Sequence, residues 1–122
     1  MKIRVLGNSV RFRLTRSDVD TLCTKGYIED RTTFDTTVFT YAVKLVTDSE
    51  QLTAQFENNT IALNLPKSLG NNWHQTEQVG FSETMEFKNN DSLFLLLEKD
   101  FTCLDERQED QSDNYPNPKV LL

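Results

Sequence analysis

The chain has 122 residues, of which 37% are hydrophobic and 26% charged, which suits one domain and is too short for two independent cores. Its net charge of −6 argues against general nucleic-acid binding, because phosphates require a basic surface. The longest apolar run covers only residues 93–97, far below the roughly 20 residues of a membrane-spanning helix. With two cysteines, predicted to be free thiols, and no signal-peptide pattern, we expect a cytoplasmic protein that binds neither membrane nor nucleic acid.

The two ends of the chain carry opposite charge. Residues 1–16 contain five basic side chains and no acidic one. Residues 98–118 contain seven acidic side chains and two basic ones. This asymmetry predicts that the ends interact with each other or with charged partners.

The first predicted elements are a hairpin and a short helix. Residues 2–6 and 10–14 alternate apolar and basic side chains around the turn-forming Gly7-Asn8-Ser9. This hairpin would bring Arg4 near Arg11 or Arg13. Thr15 has the position of a helix N-cap, and Gly26 that of a C-terminal stop, so a helix is predicted over 16–25.

The rest of the chain reads mainly as strands. Alternation predicts strands near 27–34, 39–46, 52–57, 60–65, 79–87 and 92–99, with a short helical segment from Pro66 to about Trp73. The pattern predicts an α+β fold: a mainly antiparallel sheet of about eight strands, curled into a partial barrel, with two short helices. Residues 1–104 form the predicted domain, and 105–122 form an acidic, proline-containing tail that Tyr115 would anchor.

Several short segments together point to a family. They are Lys2-Ile3-Arg4 with Gly7-Asn8-Ser9, Arg11-Phe12-Arg13-Leu14-Thr15, Leu65-Pro66 leading to Trp73, Gln78-Val79-Gly80, Glu98-Lys99-Asp100-Phe101 with Cys103-Leu104, and Glu109-Asp110 through Asp113 to Pro116-Asn117-Pro118. In this combination the chain resembles, from end to end, a family of uncharacterised small bacterial proteins. The resemblance implies a bacterial cytoplasmic protein and supplies no catalytic residue.

The candidate site consists of Arg4, Arg11 and Arg13. Guanidinium groups suit phosphate or carboxylate, so these residues are candidates for binding a small anion. The alternative is a structural network in which they pair with Glu98 and Asp100, two carboxylates that project to one face of a later strand. The sequence favours the network and leaves both possibilities open.

Other chemistry is less well supported by the residues. A triphosphate-tunnel-like hydrolase would need acidic residues near the N-terminus, and 1–10 contain none. Cys103 and His74 are too few for a zinc site, so neither metal nor cofactor is predicted. We therefore expect a non-catalytic domain that binds a small anion or a protein partner, with a small phosphate-ester hydrolase acting inside a barrel as the alternative.

Overall fold

The described part of the chain contains eight strands and two short α-helices. The computed structural model describes residues 1–102 and 111–116. The elements are β1 (Lys2–Val5), β2 (Ser9–Leu14), α1 (Arg16–Lys25), β3 (Tyr27–Phe34), β4 (Thr37–Val46), β5 (Thr53–Glu57), β6 (Thr60–Pro66), α2 (Lys67–Gly70), a 3-10 turn (Trp73–Gln75), β7 (Gly80–Glu86) and β8 (Ser92–Lys99). The predicted α+β class, the eight strands and the two short helices are confirmed.

The strands divide into two four-stranded sheets instead of one. The first sheet has the order β1-β2-β8-β7 and the second β3-β4-β6-β5. Each sheet is built from two antiparallel hairpins whose second strands meet in the middle and run parallel. The sheets are partly curled and do not close into a barrel. The parallel central pairs were not predicted, because in each of them the chain passes through at least one other strand before the partner strand begins.

Tight turns and caps explain where the elements begin and end. The turn between β5 and β6 places Asn58 and Asn59 at φ 51° and 57°, a left-handed conformation that asparagine tolerates well. Helix α1 starts with a capping box, in which the Thr15 side chain accepts from Asp18 N–H and the Asp18 carboxylate accepts from Thr15 N–H. It ends at Gly26, whose φ of 78° favours glycine.

The inner faces of the two sheets meet in one apolar cluster. Phe12 and Leu14 from the first sheet and Leu63 and Leu65 from the second are fully buried in it. Trp73, on the 3-10 turn, joins the same cluster and is also buried. Because large apolar side chains fill the space between the sheets, the described residues form a packed core between them and enclose no lumen there for a polar substrate.

The segment 111–116 packs on the domain through Tyr115. Its backbone N–H donates to the Asp100 carbonyl at 2.8 Å, and its carbonyl accepts from Thr102. Its ring lies 5.6 Å from that of Phe101. Cys103, and the parts of the predicted tail at 105–110 and 117–122, lie outside the described residues. No helix within 1–102 or 111–116 is long and apolar enough to cross a membrane.

The contact of Gly80 with β8 gives a test of this pairing. A β-carbon built on Gly80 would collide with the Leu97 carbonyl oxygen and lie 2.9 Å from the Glu98 α-carbon. We expect Gly80→Ala to lower the free energy of unfolding by about 1–3 kcal/mol, since backbone atoms cannot move aside cheaply. Urea denaturation measures this, with Ser82→Ala, on an exposed position of the same strand, as the control. Equal stability of the Gly80→Ala variant and wild type would contradict the β7–β8 register.

Candidate functional site

The three predicted arginines lie on the face of the first sheet that points away from the core, which we call the outer face. In β2, Val10, Phe12 and Leu14 are buried, whereas Arg11 and Arg13 between them are half-exposed. The β1–β2 register sets Arg4 directly opposite Arg11 and Lys2 opposite Arg13. Four cations are thus brought together by one hairpin.

Glu98 on β8 binds two of these cations. Its Oε1 atom lies 2.9 Å from Arg13 Nε and 3.4 Å from Arg11 Nε. The parallel β2–β8 register explains this, because it places Glu98 beside Arg13. One carboxylate therefore serves two guanidinium groups that lie on the same strand and would otherwise repel each other.

Asp100 has a different partner from the one considered in the sequence. Its Oδ2 lies 3.0 Å from Lys2 Nζ, and its side chain is almost fully buried. The physical reason is that the β2–β8 pairing ends at Leu14 and Lys99, so Asp100 lies one residue beyond the pairing and two residues beyond Glu98, the partner of Arg13. A lysine side chain on β1 is long enough to reach it.

Arg4 differs from Arg11 and Arg13. It is exposed, and within the described residues it has no ion-pair partner. Together with Arg11 it borders a shallow cavity of about 160 Å³ on the outer face. The cavity is lined by Arg4, Leu6, Ser9, Val10, Arg11, Phe94 and Leu96.

The cavity combines positive charge with exposed apolar surface. Leu6 is 64% exposed and Phe94 is 44% exposed, which is high for side chains of their size. The Ser9 hydroxyl donates to the Leu6 carbonyl at 2.6 Å and helps to shape the turn. The arrangement suits the recognition of an anionic group that carries an apolar substituent.

The geometry does not favour hydrolysis inside a barrel. That mechanism needs the arginines to converge in an enclosed polar interior, whereas Arg11 and Arg13 are paired on a sheet face that points to solvent. Within the described ranges, no group of three or more His, Cys, Asp or Glu side chains is arranged to hold a metal ion. Cys23 is a free thiol whose Sγ donates to the Gly70 carbonyl at 3.3 Å.

Sequence reasoning found the arginines and missed the side chains around them. The sequence patterns place Leu6 and Phe94 in predicted strands and indicate no role for them in binding. Period-2 alternation places Phe94 on the same side of β8 as Glu98, and this signal could have associated it with the charged face. Alternation alone does not predict which strand pairs with β2.

Comparison with known proteins assigns the chain to a family. A family model described as a family of unknown function, DUF7009, matches residues 1–119. The chain belongs to this family. No curated protein and no solved structure matches it. The match to DUF7009 spans all eight strands, so Arg4, Arg11 and Glu98 all lie within the domain that defines the family.

Replacing Glu98 tests the charge arrangement. Glu98→Gln keeps the shape of the side chain and removes the charge shared by Arg11 and Arg13. We expect the free energy of unfolding to fall by about 1 kcal/mol in about 0.01 M salt and by much less in about 1 M salt, because the groups are partly exposed. Urea denaturation at both salt concentrations measures the difference.

The matched control is Glu86→Gln. Glu86 is an exposed residue on β7 of the same sheet and has no ion-pair partner among the residues that the structure describes. An equal loss of stability in the two variants, or a loss for Glu98→Gln that salt does not change, would contradict the shared ion pair.

Proposed function

We propose that this protein is a non-catalytic binding domain that takes up a small anion on the outer face of the first sheet, between Arg4 and Arg11. The observation that carries the proposal is the position of Arg4, opposite Arg11 in the hairpin register and without an ion-pair partner among the described residues. Two guanidinium groups on directly opposed residues of a hairpin present several N–H donors to one phosphate or carboxylate.

The local charge balance supports binding. Lys2, Arg4, Arg11 and Arg13 share the outer face, and the carboxylates paired with them in the described part of the chain are Glu98 and Asp100. Glu86 on β7 also lies on this face. Among the described residues the outer face thus carries four cations against three carboxylates and is locally positive, although the whole chain is acidic. An anion between Arg4 and Arg11 would relieve the repulsion between these two directly opposed charges.

The surroundings of the cavity favour binding over catalysis. Its polar side chains are two guanidinium groups, which donate hydrogen bonds only, and the Ser9 hydroxyl, which already donates to the backbone. Among the lining residues no side chain can act as a general base at neutral pH. The cavity is shallow, so a ligand would keep much of its surface in water and its affinity would be modest.

The exposed apolar residues indicate the class of anion. Leu6 and Phe94 lie next to the charged groups, and burying them would add to affinity. We therefore expect a phosphate monoester or a carboxylate that carries an apolar substituent to bind more tightly than inorganic phosphate.

Calorimetric titration with inorganic phosphate and with phenyl phosphate tests this function. Phenyl phosphate should bind more tightly, and Arg4→Ala and Arg11→Ala should each weaken its binding about tenfold, because each removes a charged hydrogen-bond donor. Raising the salt concentration should also weaken binding.

The matched control is Arg31→Ala. Arg31 is an exposed arginine on β3 of the other sheet and pairs with Glu29 at 2.8 Å, so its loss should leave phosphate affinity unchanged. The proposal is wrong if neither compound binds at millimolar concentration, or if Arg31→Ala weakens binding as much as Arg4→Ala does.

A further inference from the structure

A second cavity lies at the end of β8, on the inner side of the first sheet. Its volume is about 490 Å³, within the range of small-molecule sites. It is bordered by residues that follow the 3-10 turn, by the end of β8 and by the segment 111–116. The lining residues are Thr76, Glu77, Val79, Lys99, Phe101, Tyr115 and Pro116.

Lys99 is the unusual member of this lining. It is the last residue of β8 and continues the inward-pointing series of Leu95 and Leu97, so that only 4% of its surface is exposed. Its Nζ donates to the Thr76 carbonyl at 2.7 Å. A fully buried lysine is rare without a charged partner, because removing an ammonium group from water is costly.

Aromatic rings supply part of the compensation. Lys99 Nζ lies 5.0 Å from the centre of the Tyr115 ring and 5.7 Å from that of the Trp73 ring. Contact with two ring faces stabilises a cation. Burial lowers the pKa of Lys99, although the nearby Cys23 and Glu77 act in the opposite direction.

The ammonium group still has capacity to bind an anion. It carries three N–H donors, and the described residues provide one hydrogen bond and no carboxylate within ion-pair distance. The cavity that it borders is walled by Val79, Phe101, Tyr115 and Pro116, which are largely apolar. A cation in the lining of a largely apolar cavity is suited to a ligand that is apolar except for one negative group.

We propose that this cavity binds a small monocarboxylate with an aromatic or aliphatic body. The carboxylate accepts a hydrogen bond from Lys99 Nζ, and the body packs against Phe101, Tyr115 and Val79. This site lies on the opposite side of the first sheet from Arg4 and Arg11, and it shares no lining residue with the outer-face cavity.

Glu77 determines the charge that the cavity accepts. It is an exposed carboxylate on the wall of the same cavity. A single carboxylate can bind Lys99 at a distance from Glu77, whereas a phosphate or dicarboxylate would bring additional negative charge toward it. The site should therefore discriminate against dianions, in contrast to the outer face.

Thermal denaturation with phenylacetate, phenylacetamide and phenyl phosphate tests the proposal on the full-length protein. Phenylacetate at a concentration well above its dissociation constant should raise the melting temperature by several degrees. Phenylacetamide should have little effect, because it lacks the negative charge. Equal shifts with the acid and the amide, or no shift with phenylacetate, would overturn the proposal.

Three variants locate the binding. Lys99→Met keeps most of the length of the side chain without its charge and should weaken phenylacetate binding about tenfold or more. Val79→Phe leaves Lys99 in place and narrows the cavity at a half-exposed wall position, so it should also abolish binding. Glu77→Gln should tighten binding, because it removes the repelling charge.

If Lys99→Met does not fold, Val79→Phe still tests whether phenylacetate binds in this cavity. Arg31→Ala is the control, since Arg31 lies on the other sheet, borders neither cavity and should leave phenylacetate binding intact. Arg11→Ala reports any part of the binding that occurs at the outer face. Binding of phenylacetate that Arg11→Ala removes and Val79→Phe preserves would place the carboxylate at the outer face and refute the Lys99 site. Loss of phenyl phosphate binding alone would affect only the function proposed for Arg4 and Arg11.

Discussion

The alternation of side chains along β2 decides where both the core and the charges of this protein lie. The strand lies between β1 and β8, so both of its edges are hydrogen-bonded, and its two faces point to the core and to the outer face. Phe12 and Leu14 fill the space between the two sheets, and Arg11 and Arg13 point the other way. A slip of one residue would bury two guanidinium groups and expose two large apolar side chains, at a cost of several kcal/mol for each buried charge, so the register is strongly specified.

The end of β8 distributes three consecutive charged residues among three environments. Glu98 points to the outer face and binds Arg11 and Arg13. Lys99 points inward and is enclosed by Trp73 and Tyr115. Asp100 follows the end of the strand pairing and binds Lys2, while its backbone carbonyl holds Tyr115. The strand period thus turns one short charged segment into contacts with β1, β2 and the segment 111–116.

Local patterns predicted the parts of the fold that local forces determine. The β1–β2 hairpin follows from the turn at Gly7-Asn8-Ser9 and the flanking alternation, and helix α1 follows from Thr15 and Gly26, because each involves residues close in sequence. The parallel pairing of β2 with β8 joins strands about eighty residues apart. Alternation shows which face of each strand is apolar, but it does not show which strand will be its neighbour. For this reason the sequence predicts one curled sheet where the structure has two sheets.

The same distinction explains which parts of the candidate sites could be predicted. Arg4, Arg11 and Arg13 lie in one hairpin, so their proximity follows from local structure. The burial of Lys99 follows from Trp73 on the 3-10 turn and from Tyr115 near the C-terminal end, neither of which is near it in sequence.

The net charge of the chain does not predict the charge of its binding surface. Electrostatic attraction falls off over about 10 Å at moderate salt, so a ligand responds to the neighbouring charges more than to the total. An acidic chain can therefore present a basic sheet face, because β-pairing has gathered the cations of residues 2–13 on one hairpin.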